Sequence, residues 1–432
     1  MRVLVVGGGG REHAIVHHLA RHTEGAQIFA APGNPGIGAL ATLVQVDPTD
    51  ADVLGRFAQT EGVDVAIVGP EAALAAGVAD SLRAAGVKVL GPGAAGARLE
   101  TSKSWTKELM IEAGIPTATY ARFDASADAI AYSRARRLPL VVKADGLAAG
   151  KGAIVCETQD EVEEAIINML DNRIFGAAGA EILIEDFLIG EEYTQMVFTD
   201  GSSWRSMPLS QDHKRALDFD QGANTGGMGA YSPVPTLPTA ADASIERIFT
   251  PLISALRERG IDYRGVLCGN LIWTADGPYV IEFNARFGDP EVEVTLPLLE
   301  TDLTAIVAAI EAGALGDCDL TWSSRSAVCV AVTAAGYPGA PRTGDPISGL
   351  DDHVAGTDVL HAGTRMINGV VSTGGGRVLI VTATGDDFFE ARSRCYERVG
   401  RCHFDGMHYR SDIGWRMIEH SGHDVADFVR PA

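Results

Sequence analysis

Residues Val141–Val155 read VVKADGLAAGKGAIV, two short apolar runs around a glycine-rich turn that carries Lys143 and Lys151. A Walker A loop needs GxxxxGK followed by Ser or Thr and then a helix. The run Gly146–Gly152 is one residue short, has Gly152 where the hydroxyl should be, and leads into a strand pattern. The P-loop reading fails on all three points. The spacing instead predicts a hairpin whose flexible tip folds over phosphates. Its glycines let backbone N–H groups approach an anion, and its lysines supply charge. A plain solvated turn is the alternative, and this segment alone does not separate the two.

A second segment carries more. Tyr279–Glu291 reads YVIEFNARFGDPE. Alternation along a strand places Val280, Glu282 and Asn284 on one face, with Ile281 and Phe283 on the other. An acid and an amide side by side on an apolar strand are costly to bury unless something pairs with them. Oxygen donors at this spacing suit a hard cation such as Mg²⁺, completed by water and substrate phosphates. An edge strand with solvated polar residues is the alternative; Arg286, Asp289 and Glu291, which follow at once, favour a polar cluster.

Around these segments the chain divides into three regions. Residues 1–100 alternate strands (Val3–Val6, Gln27–Ala31, Val63–Val68, Val87–Leu90) with helical patterns (Glu12–Arg21, Asp50–Glu61, Leu74–Ala85). This alternation predicts a parallel sheet with helices on both faces and a ligand at the carboxyl ends of its strands. Gly7–Gly10 resembles a dinucleotide fingerprint, but Glu12 stands where the third glycine belongs, and the second strand ends at Ala31-Pro32 without an acid for a ribose. What remains is a glycine turn feeding a helix N-terminus, an anion site in its own right, with tight strand–helix packing and no ligand as the alternative. A helix at Ser102–Ala113 follows. Strands at Leu138–Lys143, Gly152–Glu157, Glu181–Leu188 and Glu192–Thr199, a helix at Gln159–Leu170, and a hairpin through Val266–Trp273 and Tyr279–Phe283 make up the second region. Gln211–Pro238, polar and rich in Gly and Pro, reads as a long loop, either functional or disordered. His213, without a nucleophile motif or a second His at metal spacing, reads as an orienting group and not a base. The third region begins near residue 325, with strands Ala327–Thr333 and Arg377–Thr382 and a helix at Phe388–Val399.

Bulk properties narrow the function. Across 432 residues, 35 Lys and Arg stand against 57 Asp and Glu, a formal net charge of −22. A surface that acidic, without a basic stripe, argues against nucleic acid as a partner. No apolar run reaches membrane-spanning length, and MRVLVVGGGG at the start reads as a first strand. The six cysteines show no CxxC spacing and read as small buried hydrophobes in a reducing, cytoplasmic setting.

Taken together, nine strings spread in order along the chain resemble the ATP-grasp family: GGREHA (9–14), APGN (31–34), VGPE (68–71), KADGLAAGKG (143–152), SQDHKR (210–215), NTGGMGAYSP (224–233), EFNARFGDPE (282–291), HAGT (361–364) and DIGWR (412–416). Within that family they are similar to the branch that joins glycine to 5-phosphoribosylamine in purine biosynthesis. Another carboxylate–amine ligase acting on a purine precursor is the alternative. The resemblance implies an α/β architecture: an N-terminal Rossmann-like domain (1–101), an ATP-grasp domain (102–325) with a small lid at about 117–190, and a C-terminal α/β domain (326–432) that closes the site. It implies ATP and Mg²⁺ as cofactors, with Mn²⁺ as a substitute ion, and a monomer. For ATP it implies Lys103, Lys143, the loop residues Gly146, Gly150, Lys151 and Gly152, the hinge residues Glu185, Phe187 and Leu188, and Glu192 at the ribose. Glu282 and Asn284 match the metal ligands; Asn270 stands where the wider family often has a further acid. Asp212, Lys214 and Arg286 are the implied catalytic groups. Gly9, Gly10 and Asn34 at the ribosylamine phosphate, with Asn224, Thr225, Gly226, Gly227, Met228 and Asp289 near glycine and the amine, complete the set.

Overall fold

The computed structural model describes residues 1–148, 152–237 and 239–429. Gly150 and Lys151 lie outside the described residues. The first sheet is parallel, in the order Thr42–Leu43, Gln27–Pro32, Arg2–Gly7, Val65–Val68, Lys88–Leu90. Val3–Val6 are fully buried because helices cover both faces. The strand order reverses between Arg2–Gly7 and Val65–Val68. Gly7–Gly10 and Gly69–Glu71 therefore sit at the carboxyl edge, where such sheets bind ligands. The helix expected over Leu74–Ala85 is two short ones, Glu71–Ala75 and Val78–Ala84, split at Gly77 with φ of 79°.

Glu12 explains why the glycine turn departs from a dinucleotide fingerprint. Its Oε2 accepts from the Gly9 N–H at 2.6 Å, capping the helix Gly10–His22. The same side chain fills the space beside Gly7 and Gly69, so a Cβ at either would collide with it.

The antiparallel lid sheet runs in the order Tyr120–Phe123, Ile182–Asp186, Leu140–Ala144, Ala153–Cys156. Its own small core holds Leu140, Val142, Ile182 and Ile184 against Val162 and Ile166 of the helix Gln159–Ile166. A second antiparallel sheet runs Trp204–Ser206, Glu191–Thr199, Gly265–Thr274, Gly277–Asn284. The cleft lies between these two sheets.

Gln211–Pro238 is not the long loop expected from its Gly and Pro content. Gln211–Asp212 and Gly229–Ser232 pair with each other, and Gly229–Ser232 pairs with Ser326–Thr333. They extend a third sheet that continues through Arg377–Gly385 to Thr357–His361. This sheet thus combines strands from both sides of residue 325. Between the two short strands, Arg215–Leu217 and Gln221–Asn224 form a separate hairpin. All six cysteines are free, five of them buried. No helix among the described residues is long and apolar enough to cross a membrane.

Candidate active site

The strand Gly277–Asn284 departs from simple alternation. Asn270 faces Glu282 across the ladder and Leu271 faces Val280, so Ile281 is an extra residue in a β-bulge. The expected grouping of Val280 with Glu282 and Asn284 is thereby corrected. Val280 turns into the core beside Phe283, while Ile281, Glu282 and Asn284 line the cleft. The bulge also frees the Ile281 carbonyl, which accepts from Lys143 Nζ at 3.0 Å.

The cleft has a volume of about 710 Å³. On its lid side, the strand Leu140–Ala144 delivers Lys143, and the neighbouring strand Ile182–Asp186 delivers Glu185, which pairs with Val141 and so lies diagonal to Lys143. Glu185 Oε2 lies 2.9 Å from Lys143 Nζ and 3.1 Å from Lys107 Nζ. All three side chains are almost wholly buried, so the single carboxylate compensates two cations. The other oxygen, Oε1, is buried without a hydrogen-bond partner. Burial pulls the Lys107 ammonium down to about 8, against the pull of Glu185. Lys103 stands at the start of the helix Lys103–Glu112, which Ser102 caps; its Nζ donates to the Gly146 carbonyl at 3.2 Å. Burial lowers the Lys103 ammonium too, with Glu282 opposing.

At the centre, Glu282 Oε1 accepts from Asn270 Nδ2 at 2.9 Å. Burial pushes the Glu282 carboxyl up, but Lys214, Lys103 and Lys143 more than reverse this and hold it below the usual range. Glu282 is therefore an anion facing the cleft. Asn284 Oδ1 accepts from Arg286 Nη2 at 3.0 Å, which fixes the amide orientation. One carboxylate and one amide oxygen fit a hard cation. Among the described residues no group of three or more His, Cys, Asp or Glu is arranged to hold an ion. The two donors fit an ion that arrives with nucleotide phosphates.

Arg286, one of the implied catalytic groups, is paired with two acids. Its Nη2 lies 2.7 Å from Glu100 Oε1 and its Nε 3.6 Å from Glu71. Those acids keep its guanidinium firmly charged despite burial. Its charge is already compensated by these cleft-lining acids, and it also donates to Asn284. Glu71, Glu100 and Arg11 were missed in the sequence. Arg11 comes from the glycine turn, pairs with Glu12 at 2.7 Å, and reaches the cleft. Arg11 and Glu71 stand in the strings GGREHA and VGPE and Glu100 in none, but all three are far in sequence from Arg286, so their link to it was not legible.

At the other end, Lys214 Nζ lies 3.0 Å from Glu192 Oε2. Burial alone would lower the Lys214 ammonium, but Glu192, Glu282 and Asp212 raise it. Burial and the nearby Glu291 push the Asp212 carboxyl well up, against Lys214 and Arg377. His213 has no free nitrogen for catalysis. Its Nδ1 lies 3.2 Å from the Gly229 carbonyl, and its Nε2 accepts from the Gly414 N–H at 3.0 Å. Burial and Arg410 push it down to about 3, so it is a neutral cross-brace.

Arg377, also missed, reaches in from the third sheet. It lies 2.8 Å from Asp289 Oδ1 and donates to the carbonyls of Gly226 (2.6 Å) and Asp289 (3.1 Å). It ties the Asn224–Met228 segment to the Gly288–Pro290 turn.

The other residues divide. Phe187, Leu188, Gly152, Asn224, Thr225, Gly226 and Asp289 line the cleft. Gly9, Gly10, Asn34, Gly227 and Met228 do not. The Asn34 amide is spent on backbone: Nδ2 donates to the Gly8 and His361 carbonyls, and Oδ1 accepts from the Ile37 N–H. Met228 is a fully buried core side chain. Gly227, at φ of 109°, backs onto Pro290 and Asp212.

Comparison with known proteins agrees with this architecture. Profiles described as the N, ATP-grasp (A) and C domains of phosphoribosylglycinamide synthetase match residues 1–100, 101–292 and 327–416. Similar sequences are the phosphoribosylamine–glycine ligases of Synechocystis (46% identical; 97% of this chain, 100% of that one) and Ralstonia nicotianae (44%; 97% and 100%). A crystal structure of the Thermotoga maritima phosphoribosylamine–glycine ligase superposes with a TM-score of 0.83 at 30% identity, over 96% of this chain and 100% of that one. The biotin carboxylase domain of a Hydrogenobacter thermophilus 2-oxoglutarate carboxylase, solved with MgADP, shares the fold (TM-score 0.71, 17% identity, 94% and 91%).

Proposed function

The chain belongs to the phosphoribosylglycinamide synthetase family of ATP-grasp ligases, and we propose that it joins glycine to 5-phosphoribosylamine, giving glycinamide ribonucleotide, ADP and phosphate. The observation that carries this reading is the convergence of Lys103, Lys143 and Lys214 on the anionic Glu282, beside Asn284, in one cleft.

A carboxylate is a poor electrophile. One oxygen of glycine attacks the γ-phosphorus of ATP, an O–P bond forms, the bond to ADP breaks, and glycyl phosphate results. The ribosylamine nitrogen then attacks the carbonyl carbon, and phosphate leaves. Lys103 and Lys143 meet the ATP phosphates, with Phe187 and Leu188 at the base and Glu192 at the ribose. Glu185 keeps the lysines in place. Lys214, held charged by its acidic neighbours, steadies the transferring phosphoryl group. Asp212, whose carboxyl is raised, takes the proton lost by the attacking amine. Glu282 and Asn284 would hold Mg²⁺, or Mn²⁺ in its place; when bound, such an ion neutralises phosphate charge. Arg286 orients Asn284. The loop after Gly146 excludes water.

An ADP-release assay with each substrate omitted in turn tests the reading. ADP should require both glycine and ribosylamine for full rate, and bicarbonate or formate should not replace glycine. Replacement by either would favour a different ligase of purine precursors.

A further inference from the structure

The hairpin of Arg215–Leu217 and Gln221–Asn224 has a turn that is unusual for its residues. Phe219 (φ 56°) and Asp220 (φ 55°) are consecutive, not glycine, and both left-handed. That conformation costs free energy, most of all for a bulky side chain, and persists only where the surroundings impose it.

Here the surroundings are the segment 410–416. Asp412 Oδ2 accepts from the Phe219 N–H at 2.7 Å. Asp220 Oδ1 accepts from Arg410 Nη1 at 2.9 Å, and its Oδ2 pairs with Arg416. Asp218 accepts from the Ser411 N–H at 2.9 Å and its hydroxyl at 2.6 Å. Arg410 is fully buried and is itself clamped by Asp412 at 2.7 Å, so the anchor is rigid. At the other end of the hairpin, Asn224 Nδ2 donates at 3.2 Å to the carbonyl of Ala153 on the lid sheet. Arg215, Asp220, Asn224 and Arg416 all line the cleft. The hairpin thus bridges the C-terminal segment and the lid, directly after Lys214.

We propose that this hairpin is a cover over the substrate end of the cleft, and that Asp220, gripped by Arg410 and Arg416, is the positioning residue that keeps it seated and keeps water from the activated acid. The inference rests on the ligase reading above. Without the cover, water attacks the carbonyl carbon of the acyl phosphate and the bond to the phosphate oxygen breaks. Glycine and inorganic phosphate are released, so ATP is hydrolysed with no product.

The test compares the full-length wild type with Asp220→Asn under saturating ATP, glycine and fresh ribosylamine, counting ADP and product together. Wild type should give close to one ADP per product, and Asp220→Asn about three or more. Amide exchange at residues 216–223 should also quicken in the variant. A merely structural role would lower the melting temperature and the rate but leave the ratio at one. A ratio near one in folded Asp220→Asn overturns the proposal. Should that variant fail to fold, Arg416→Gln removes one of the two cations and is expected to raise the ratio in the same sense; a ratio near one there overturns it equally. If wild type makes no product from these substrates, the ligase reading fails instead.

Discussion

Lys143 Nζ donates to the carbonyl of Ile281 at 3.0 Å, so the lid touches the strand Gly277–Asn284 at the one residue that strand leaves unpaired. The bulge does two things. It turns Val280 into the core, and it hands a lysine from the lid a fixed seat one residue before Glu282.

Glu282 is the anion among three lysines, and its amide analogue tests that charge. Glu282→Gln keeps the volume and can still accept from Asn270. Turnover should fall by about 10²- to 10³-fold, and the Mg²⁺ concentration for half-maximal rate should rise. Steady-state ADP formation across a Mg²⁺ titration reads both. Normal turnover in the variant would remove Glu282 from the metal site.

Glu185 compensates Lys107 and Lys143 at once. Glu185→Gln leaves two buried cations without their acid, a loss on the order of 3 kcal/mol. Thermal unfolding should shift down by several degrees, and the KM for ATP should rise about tenfold or more as Lys143 moves. An unchanged KM would mean that Lys143 keeps its place without Glu185.

His213 is held neutral, its pKa pushed down to about 3 from an ordinary value near 6.5. Between these values the unfolded chain binds a proton that the folded chain does not, so stability rises with pH across that window. His213 therefore stabilises the fold fully above about 6.5 and progressively less as pH falls toward 3. Melting temperatures of wild type and His213→Asn at pH 5 and pH 7.5 should differ in that sense. The pH–rate profile should show no limb near 6.5 that His213→Asn abolishes.

The chain Glu100, Arg286, Asn284 acts as one unit. Glu100→Gln should loosen Arg286 and, through it, the Asn284 amide. The effects of Glu100→Gln and Asn284→Ala on kcat should be non-additive by about 1 kcal/mol in a double-mutant cycle. Additive effects would show that Arg286 does not orient Asn284.

The parallel sheet was legible because its strands are continuous apolar runs between helical patterns, and the lid hairpin because β-branched runs flank its glycines. That Glu282 and Asn284, on the edge strand Gly277–Asn284, would meet other polar groups was legible from their cost of burial. The bulge was not: it depends on pairing with the strand Gly265–Thr274, and no residue within Tyr279–Asn284 announces it. Asn34 and Met228 stand in quoted strings; in space the Asn34 side chain is bonded to backbone and the Met228 side chain is in the core, placements that the strings do not reveal. Glu100 and Arg377 carried no signal, since they act on partners tens or hundreds of positions away. The stretch Gln211–Pro238 was misread because glycine and proline suggested a loop, whereas two of its short strands gain their pairing from the third sheet.

The central claim is that ATP activates glycine by phosphorylating its carboxylate. Glycine labelled with ¹⁸O in both carboxyl oxygens, turned over with ATP and ribosylamine, reads this directly by mass spectrometry of the released phosphate. The account predicts one ¹⁸O in each phosphate formed with product. Phosphate without label, in an assay that does make glycinamide ribonucleotide, would contradict it.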